Sequence, residues 1–263
     1  MQKRTIISIS IMLTIMLFSG VGFCGDGSLE RIKQAGVLTF GAESGLPWIQ
    51  LDGATGKLIG FDAEFIYEIG KRLGVEVKMV ETNWDALIPA LKQKRIDVIM
   101  NGMYITEKRL QVIDFAGPVY CHGEAIAIRK GNDTIKKFDD LKNHKVGVLK
   151  ASAYIDWLKS IGDVQIVLYE SNNLALIDLN NGRLDAAVLD GPMASWAIKK
   201  DPKQNSHLIP NYVPREMGRI GVGIRKEDQD LKAAIDKICK EMIQDGTYER
   251  ILTNWLMPPV ECK

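Results

Sequence analysis

Histidine is nearly absent from this 263-residue chain: His122, His144 and His207 are the three copies, and their spacing matches no metal-ligand set. The four cysteines, Cys24, Cys121, Cys239 and Cys262, include no Cys-x-x-Cys pair, so neither a zinc ribbon nor a dithiol redox motif is present. Gly-x-Ser-x-Gly elbows and Gly-x-x-x-x-Gly-Lys-[Ser/Thr] loops are missing too, and the one Gly-x-Gly-x-x-Gly match, Gly20 to Gly25, ends the N-terminal apolar stretch rather than joining a strand to a helix, which leaves hydrolase, nucleotide and dinucleotide chemistry without a local signature. No polybasic run and no basic stripe with interleaved aromatics occurs, and this argues against nucleic acid and anionic membrane surfaces as partners. The chain also lacks internal repeats, low-complexity stretches and any Pro/Gly/Ser linker. The expectation is a non-enzymatic protein with no catalytic residue, no cofactor and no metal.

What is present is an ordinary globular composition, 46% hydrophobic and 25% charged, in a chain long enough for one large domain or two smaller ones. Residues 1–24 stand apart. Lys3 and Arg4 precede an apolar stretch from Ile6 to Phe18, and small residues follow at Ser19, Gly20 and Gly22. That is the layout of a secretory signal peptide, too short in its apolar part for a membrane span, and it predicts export to the periplasm. Cys24 raises the alternative of a lipid anchor, which Phe23 directly before it disfavours. Without Lys3 and Arg4 the 34 basic residues become 32 against 33 acidic ones, so the exported chain is close to neutral. In an oxidising compartment a disulfide between Cys239 and Cys262 would pin the C-terminus, with Cys121 left as a small buried hydrophobe.

From residue 36 onward, short β-branched runs alternate with helical patterns, the sign of βαβ units and mostly parallel sheets with helices on both faces. Strands are expected at Val37 to Ala42, Val75 to Val80, Ile96 to Met100, Ala125 to Arg129, Val146 to Leu149, Gln165 to Tyr169, Ala186 to Leu189 and Gly221 to Ile224. The clearest helix follows Gly60, where Phe61, Phe65, Ile66, Ile69 and Leu73 share a face and Gly74 supplies the stop. Two sheets without a flexible linker imply lobes joined by strands that cross directly. One crossing is expected within Tyr120 to Arg129 and the return near Pro214 to Arg219.

Ligands of open parallel sheets bind beyond the carboxyl ends of the strands. Those ends nominate Glu43 and Trp48, then Trp84, then Asn101 to Arg109, with Lys150 to Ala153 and Asp190 from the second half. Arg109 suits a carboxylate, which it grips with two parallel hydrogen bonds, although a solvated helix arginine is the plainer reading of a lone Arg. Ser152 opens a helix whose free N–H groups receive an anion, or it is a plain N-cap. Asp190 holds an ammonium group, or caps the helix that begins at Pro192. Trp48 and Trp84 sandwich the apolar or cationic part of a ligand, or belong to the core.

Several blocks then carry a resemblance. They are Gly56-Lys57-Leu58-Ile59-Gly60-Phe61-Asp62, Trp84-Asp85-Ala86-Leu87-Ile88-Pro89-Ala90-Leu91, Ile96-Asp97-Val98-Ile99-Met100, Ile105-Thr106-Glu107-Lys108-Arg109, Asp114-Phe115, Val146-Gly147-Val148-Leu149, Gly182-Arg183-Leu184-Asp185-Ala186-Ala187 and Asp245-Gly246-Thr247-Tyr248. In this order, from about Gly36 to Trp255, the chain resembles the polar amino-acid binding proteins of ABC importers, family 3 of the bacterial extracellular solute-binding proteins. The resemblance implies a two-lobed type II periplasmic binding fold, with lobe 1 at 29–121 and 215–263 and lobe 2 at 122–214, hinged by two crossing strands. It implies a free amino acid as ligand, permease subunits as partners, and a mechanism of cleft closure. By the same resemblance Arg109 binds the α-carboxylate with N–H groups at Tyr104, Ser152 and Ala153, while Asp190 and the Gly102 carbonyl take the α-ammonium. Asn101 belongs to the same loop, and Glu43 with Trp48 and Trp84 points toward a basic side chain.

Three positions depart from the pattern: Tyr104 stands where relatives carry Ser or Thr, Gly45 where many carry an aromatic, and Ala153 where a hydroxyl is common. The same fold includes a branch that dehydrates prephenate or arogenate, whose carboxylic acid aligns with Tyr154. That departure counts against a dehydratase. A ligand-sensing module for a receptor is the remaining alternative.

Overall fold

A computed structural model of the protein describes residues 26–201 and 203–255. The leader expected at 1–24, with Cys24, and Cys262 lie outside the described residues. No helix among the described residues is long and apolar enough to cross a membrane.

The first lobe opens with α1 (Ser28–Ala35), β1 (Val37–Ala42), the short pair β2 (Gln50–Leu51) and β3 (Leu58–Ile59), α2 (Phe61–Leu73), β4 (Glu76–Glu81), α3 (Leu87–Lys92), β5 (Val98–Ile99) and α4 (Glu107–Leu110). The long strand β6 (Asp114–Arg129) leads into β7 (Lys145–Leu149), α5 (Tyr154–Ile161), β8 (Gln165–Tyr169), α6 (Asn172–Asn180), β9 (Ala186–Asp190), α7 (Gly191–Lys200) and β10 (Ser206–Leu208). Then β11 (Met217–Ile224), α8 (Gln229–Gln244) and α9 (Thr247–Asn254) return to the first lobe.

The strands run in the order β4-β1-β5-β11-β6-β9-β7-β8, with β10 beside β6. The wings are parallel, as the alternation of strand and helix predicts: β4, β1 and β5 on one side, β8, β7 and β9 on the other. The centre is antiparallel, because β6 meets β11, β9 and β10 in the opposite sense. Residues Asp114 to Gly123 of β6 pair with β11, and Glu124 to Ile128 pair with β9, so one unbroken strand changes partners between Gly123 and Glu124. The chain is pressed close there: a Cβ on Gly123 would lie 2.3 Å from Pro214, and one on Gly191 would lie 2.7 Å from the Gly123 carbonyl.

Helix α2 shows how the sequence builds a wall. Phe61, Phe65, Ile66, Ile69 and Leu73 are buried on one side, and Gly74, in the left-handed region at φ 76°, closes the helix by donating to the Gly70 and Lys71 carbonyls. Its entry needs glycine for a different reason: at Gly60, φ 131°, a Cβ would stand 2.3 Å from the Trp48 carbonyl oxygen.

The cysteine expectation is corrected. Cys239 is a free, buried thiol on α8, pushed up to about 12 by burial, so it forms no bridge to Cys262. Its neighbours Ile235, Ile238 and Met242 bury it as an apolar side chain. The residue expected to be left over, Cys121, is the disulfide-bonded one.

Asp97, at the start of β5, ties the wing together. It accepts from the Thr39 amide at 2.9 Å and hydroxyl at 2.6 Å, and from Arg31 at 2.8 Å. Burial alone would raise its pKa, but these bonds outweigh burial and hold the carboxyl below its ordinary range. Asp97→Ala should therefore cost roughly 2–4 kcal/mol in urea unfolding. A depressed carboxylate stabilises the fold above its unfolded pKa and stops doing so as pH falls through the folded one. The gap between variant and wild type should accordingly close on acidification through the carboxylate range.

Candidate functional site

The carboxyl ends of β1, β4 and β5 face those of β7 and β9. Arg109 is placed by α4, whose N-cap Thr106 accepts from the Arg109 amide at 3.2 Å. Its guanidinium is buried, and among the described residues it donates to carbonyls only: Tyr104 at 2.8 Å in its own lobe and Ala151 at 3.3 Å across the cleft. The Trp84 ring lies beneath it at 5.3 Å. Burial pulls its pKa down to about 10, opposed by the charge of Asp190 and by Tyr154 and Tyr104. Ala151 adopts a left-handed φ of 56°, which turns its carbonyl toward this cation.

Asp190 occupies the N-cap position of α7, yet its side chain caps nothing. It accepts instead from the Tyr154 hydroxyl at 2.6 Å and from the Asn172 amide at 3.3 Å. Ser152 is not a plain cap either: Ala153 is the N-cap of α5, and the buried Ser152 hydroxyl has no protein partner among the described residues.

A cavity of about 50 Å³, lined among others by Glu43, Trp48, Trp84, Asn101, Asn172 and Asp190, lies between the lobes. It brings together five of the predicted residues. Gly102, Tyr104, Arg109, Ser152 and Ala153 are not in its wall. Arg109 adjoins it through Trp84. Asn101 spends its amide on the Glu43 backbone, accepting from the Glu43 amide at 2.9 Å and donating to its carbonyl at 3.2 Å, so it fixes the loop. Trp48 is buried against Tyr120 at 5.9 Å and His122 at 5.1 Å and forms floor as much as wall. Glu43 accepts from the Trp84 amide at 2.9 Å. Its pKa is raised first by burial, with Asp85, Glu170 and Asp190 adding repulsion against the lowering effect of that bond. A larger groove lies behind the hinge, lined by Cys121, Trp196, Tyr212 and Trp255, but its lysines, Lys199 and Lys200, are exposed and it holds no buried cation among the described residues.

Sequence reasoning nominated Lys108, Lys150 and Tyr104 by position but missed the contacts they make between the lobes, with Asp156, Asp85 and Tyr154. Lys150 pairs with Asp85 across the cleft at 3.0 Å and with Glu170 on its own side, and Lys108 reaches Asp156 at 3.7 Å. Tyr104 and Tyr154 join hydroxyls at 3.0 Å. Asp62, quoted only as part of a block, is fully buried and anchors the Gly102 amide at 2.9 Å and the Tyr120 hydroxyl at 2.7 Å. A Gly-Phe-Asp run before a helical pattern was the available signal.

Two hinged α/β lobes that face a buried cation and a carboxylate across a narrow cavity define a binding clamp of the type II periplasmic fold. The chain belongs to the bacterial extracellular solute-binding proteins, family 3, whose profile matches residues 38–258. It is similar to the L-cystine-binding protein TcyJ of Escherichia coli strain K12, 34% identical over 249 residues that cover 93% of this chain and 92% of the relative. Among solved structures it resembles an ancestral arginine-binding protein bound to arginine, with 36% identity, a TM-score of 0.78, and coverage of 84% of this chain and 98% of that one. It also resembles an ancestral amino acid-binding protein described as a precursor of cyclohexadienyl dehydratase, with 32% identity, a TM-score of 0.79, and coverage of 87% and 98%.

Burial drives the Asp62 carboxyl up to about 7 against the lowering effect of its bonds from Tyr120 and Gly102. A carboxyl raised in the fold favours the native state while protonated, so this contribution is lost as pH climbs from the ordinary carboxylate range toward 7. Asp62→Asn should remove that part of the stability profile, as measured by thermal melts across pH 4 to 8.

Proposed function

We propose that the protein is the substrate-binding component of an ABC importer, capturing a free amino acid outside the cytoplasm and delivering it to the permease subunits. The observation that carries this reading is the buried Arg109 guanidinium, compensated by carbonyls alone, with Asp190 across the cleft. A buried cation in that setting is a strong receptor for a carboxylate, because water no longer screens the pair.

In this reading residues 29–121 with 215–263 form one lobe and 122–214 the other, and they swing about the partner change in β6. Arg109 takes the ligand carboxylate, assisted by N–H groups of Tyr104, Ser152 and Ala153. Asp190, with the Gly102 carbonyl, takes the ammonium. A cavity of about 50 Å³ holds only one or two waters, so the ligand enters when the lobes part and is enclosed when they meet. The surrounding acids favour a basic side chain: Asp85, Glu170 and Asp190 all act on Glu43 there, flanked by Trp48 and Trp84. The leader read at residues 1–24 supports a periplasmic site for this work.

Calorimetry with L-arginine, L-histidine and L-cystine tests the proposal. Wild type should bind at least one of them and gain thermal stability from it. Arg109→Ala should lose at least about a hundredfold in affinity, since it removes one partner of a buried charged contact. Unchanged affinity in that variant would take Arg109 out of the site.

A further inference from the structure

Tyr104 follows β5 and is not in the cavity wall, and its hydroxyl is bonded elsewhere. It lies 2.9 Å from the His122 carbonyl, 3.1 Å from His122 Nδ1 and 3.0 Å from the Tyr154 hydroxyl. The ring fits because residue 218 is glycine: a Cβ there would sit 2.6 Å from the Tyr104 ring. Tyr154, buried at the start of α5, lies between Tyr104 and Asp190.

Counting protons fixes the direction of this chain. Each tyrosine has one. The contact from Tyr154 to Asp190 Oδ1, at 2.6 Å, is short and charge-assisted, so the Tyr154 proton belongs there. Tyr154 is then an acceptor toward Tyr104, whose proton is shared between the Tyr154 oxygen and the His122 carbonyl. Burial raises both phenols far above their ordinary range, and they stay neutral donors. Oδ1 of Asp190 is thereby occupied, while Oδ2 meets only the longer amide contact from Asn172 at 3.3 Å. Asp190 and Asn172 line the cavity and Tyr154 does not, so the free acceptor capacity of the carboxylate is presented on Oδ2.

The members come from different parts of the chain: Tyr104 follows β5, His122 lies on the crossing strand, and Tyr154 and Asp190 belong to the far side. Tyr154 and Asp190 share the second lobe, so the link that depends on closure is the one between Tyr104 and Tyr154. We infer that Tyr104 and Tyr154 are positioning residues for ligand selection, a hydroxyl chain completed by closure that aims Asp190 at the ligand's α-ammonium in place of a direct hydroxyl contact. This rests on the amino-acid reading above. It predicts a specific defect: loss of the chain weakens recognition of the amine and leaves recognition of the carboxylate intact.

The test compares L-arginine with 5-guanidinopentanoate, the same molecule without its α-amine, by calorimetry on wild type, Tyr154→Phe, Tyr104→Phe and Gly218→Ala. If wild type binds L-histidine or L-cystine instead, that amino acid and its own des-amino acid form the pair. Both phenylalanine variants should lose roughly ten- to hundredfold for the amino acid and under about twofold for the des-amino ligand. Gly218→Ala, which displaces the ring and keeps both hydroxyls, should shift the ratio in the same direction. Equal losses for both ligands, or no loss in either phenylalanine variant, would overturn the inference while leaving the amino-acid reading standing. Failure of wild type to bind any of the three amino acids would overturn both.

Discussion

A guanidinium about nine-tenths buried, with no carboxylate bonded to it among the described residues, sets the terms for the rest of the cleft. Stripping water from such a group is costly, and only oriented dipoles or an anion offset that cost. The dipoles come from both sides of the molecule, Tyr104 from one and Ala151 from the other. The cation is therefore fully compensated only when the two sides meet. The left-handed backbone at Ala151, which costs about 1 kcal/mol in a residue with a Cβ, is consistent with a carbonyl held where the cation requires it. Closure and charge compensation become a single event, and on the proposed reading a ligand carboxylate that displaces these carbonyls inherits a site prepared for it.

Motion has to be accommodated by a sheet that does not break. Because β6 runs continuously from Asp114 to Arg129, the two wings share a backbone, and the proposed hinge is the point where hydrogen bonding passes from β11 to β9. The glycines at 123 and 191 let Pro214 and the neighbouring backbone lie against that point. A register shift in the β6–β11 pair between Ile220 and Val222 falls alongside, so the ladder is already irregular near the crossing.

The parts of this design that were legible in the sequence are those written in periodicity and in strand ends. The wings, α2 and the residues after each strand follow from alternation and from glycine punctuation. The length of β6 did not: Asp114 to Glu124 contains Gly117, Pro118 and Gly123, and a strand buried on both faces shows no alternation to read. Helix α1, framed by Gly27 and Gly36 in left-handed conformations, was passed over because its polar face dominates eight residues. At the cleft, Arg109, Asp190, Tyr104 and Lys150 could be nominated from position, but the contacts that Tyr104, Tyr154 and Lys150 make run across the interface between lobes. Their partners are 50 residues apart or more along the chain, or are set by how the two halves meet, and local pattern carries no trace of that. The cysteines make the same point. Which thiol is paired depends on packing, and the helix that buries Cys239 gave no sequence cue distinguishing it from Cys121.

Charge around the cavity completes the argument about selectivity. Asp85, Glu170 and Asp190 add to the burial that makes Glu43 costly to ionise, and among the described residues Lys150 pairs with two of them, Asp85 and Glu170. Those two are partly exposed, so their ion pairs with Lys150 are screened and contribute little to holding the lobes together. Glu43 and Asp190 share the cavity wall without that cation. On the proposed reading Asp190 is met by the α-ammonium, and an enclosed ligand brings a second positive charge to Glu43 or leaves that carboxylate facing a space that closure has emptied of bulk water. A neutral side chain is then rejected through the unfavourable environment it would leave behind rather than through a clash, which is discrimination by an uncompensated charge. The same cleft in which Arg109 awaits an anion thus carries an excess of acid a few residues away, and the separation of the two signs gives a zwitterion with a cationic side chain one preferred orientation.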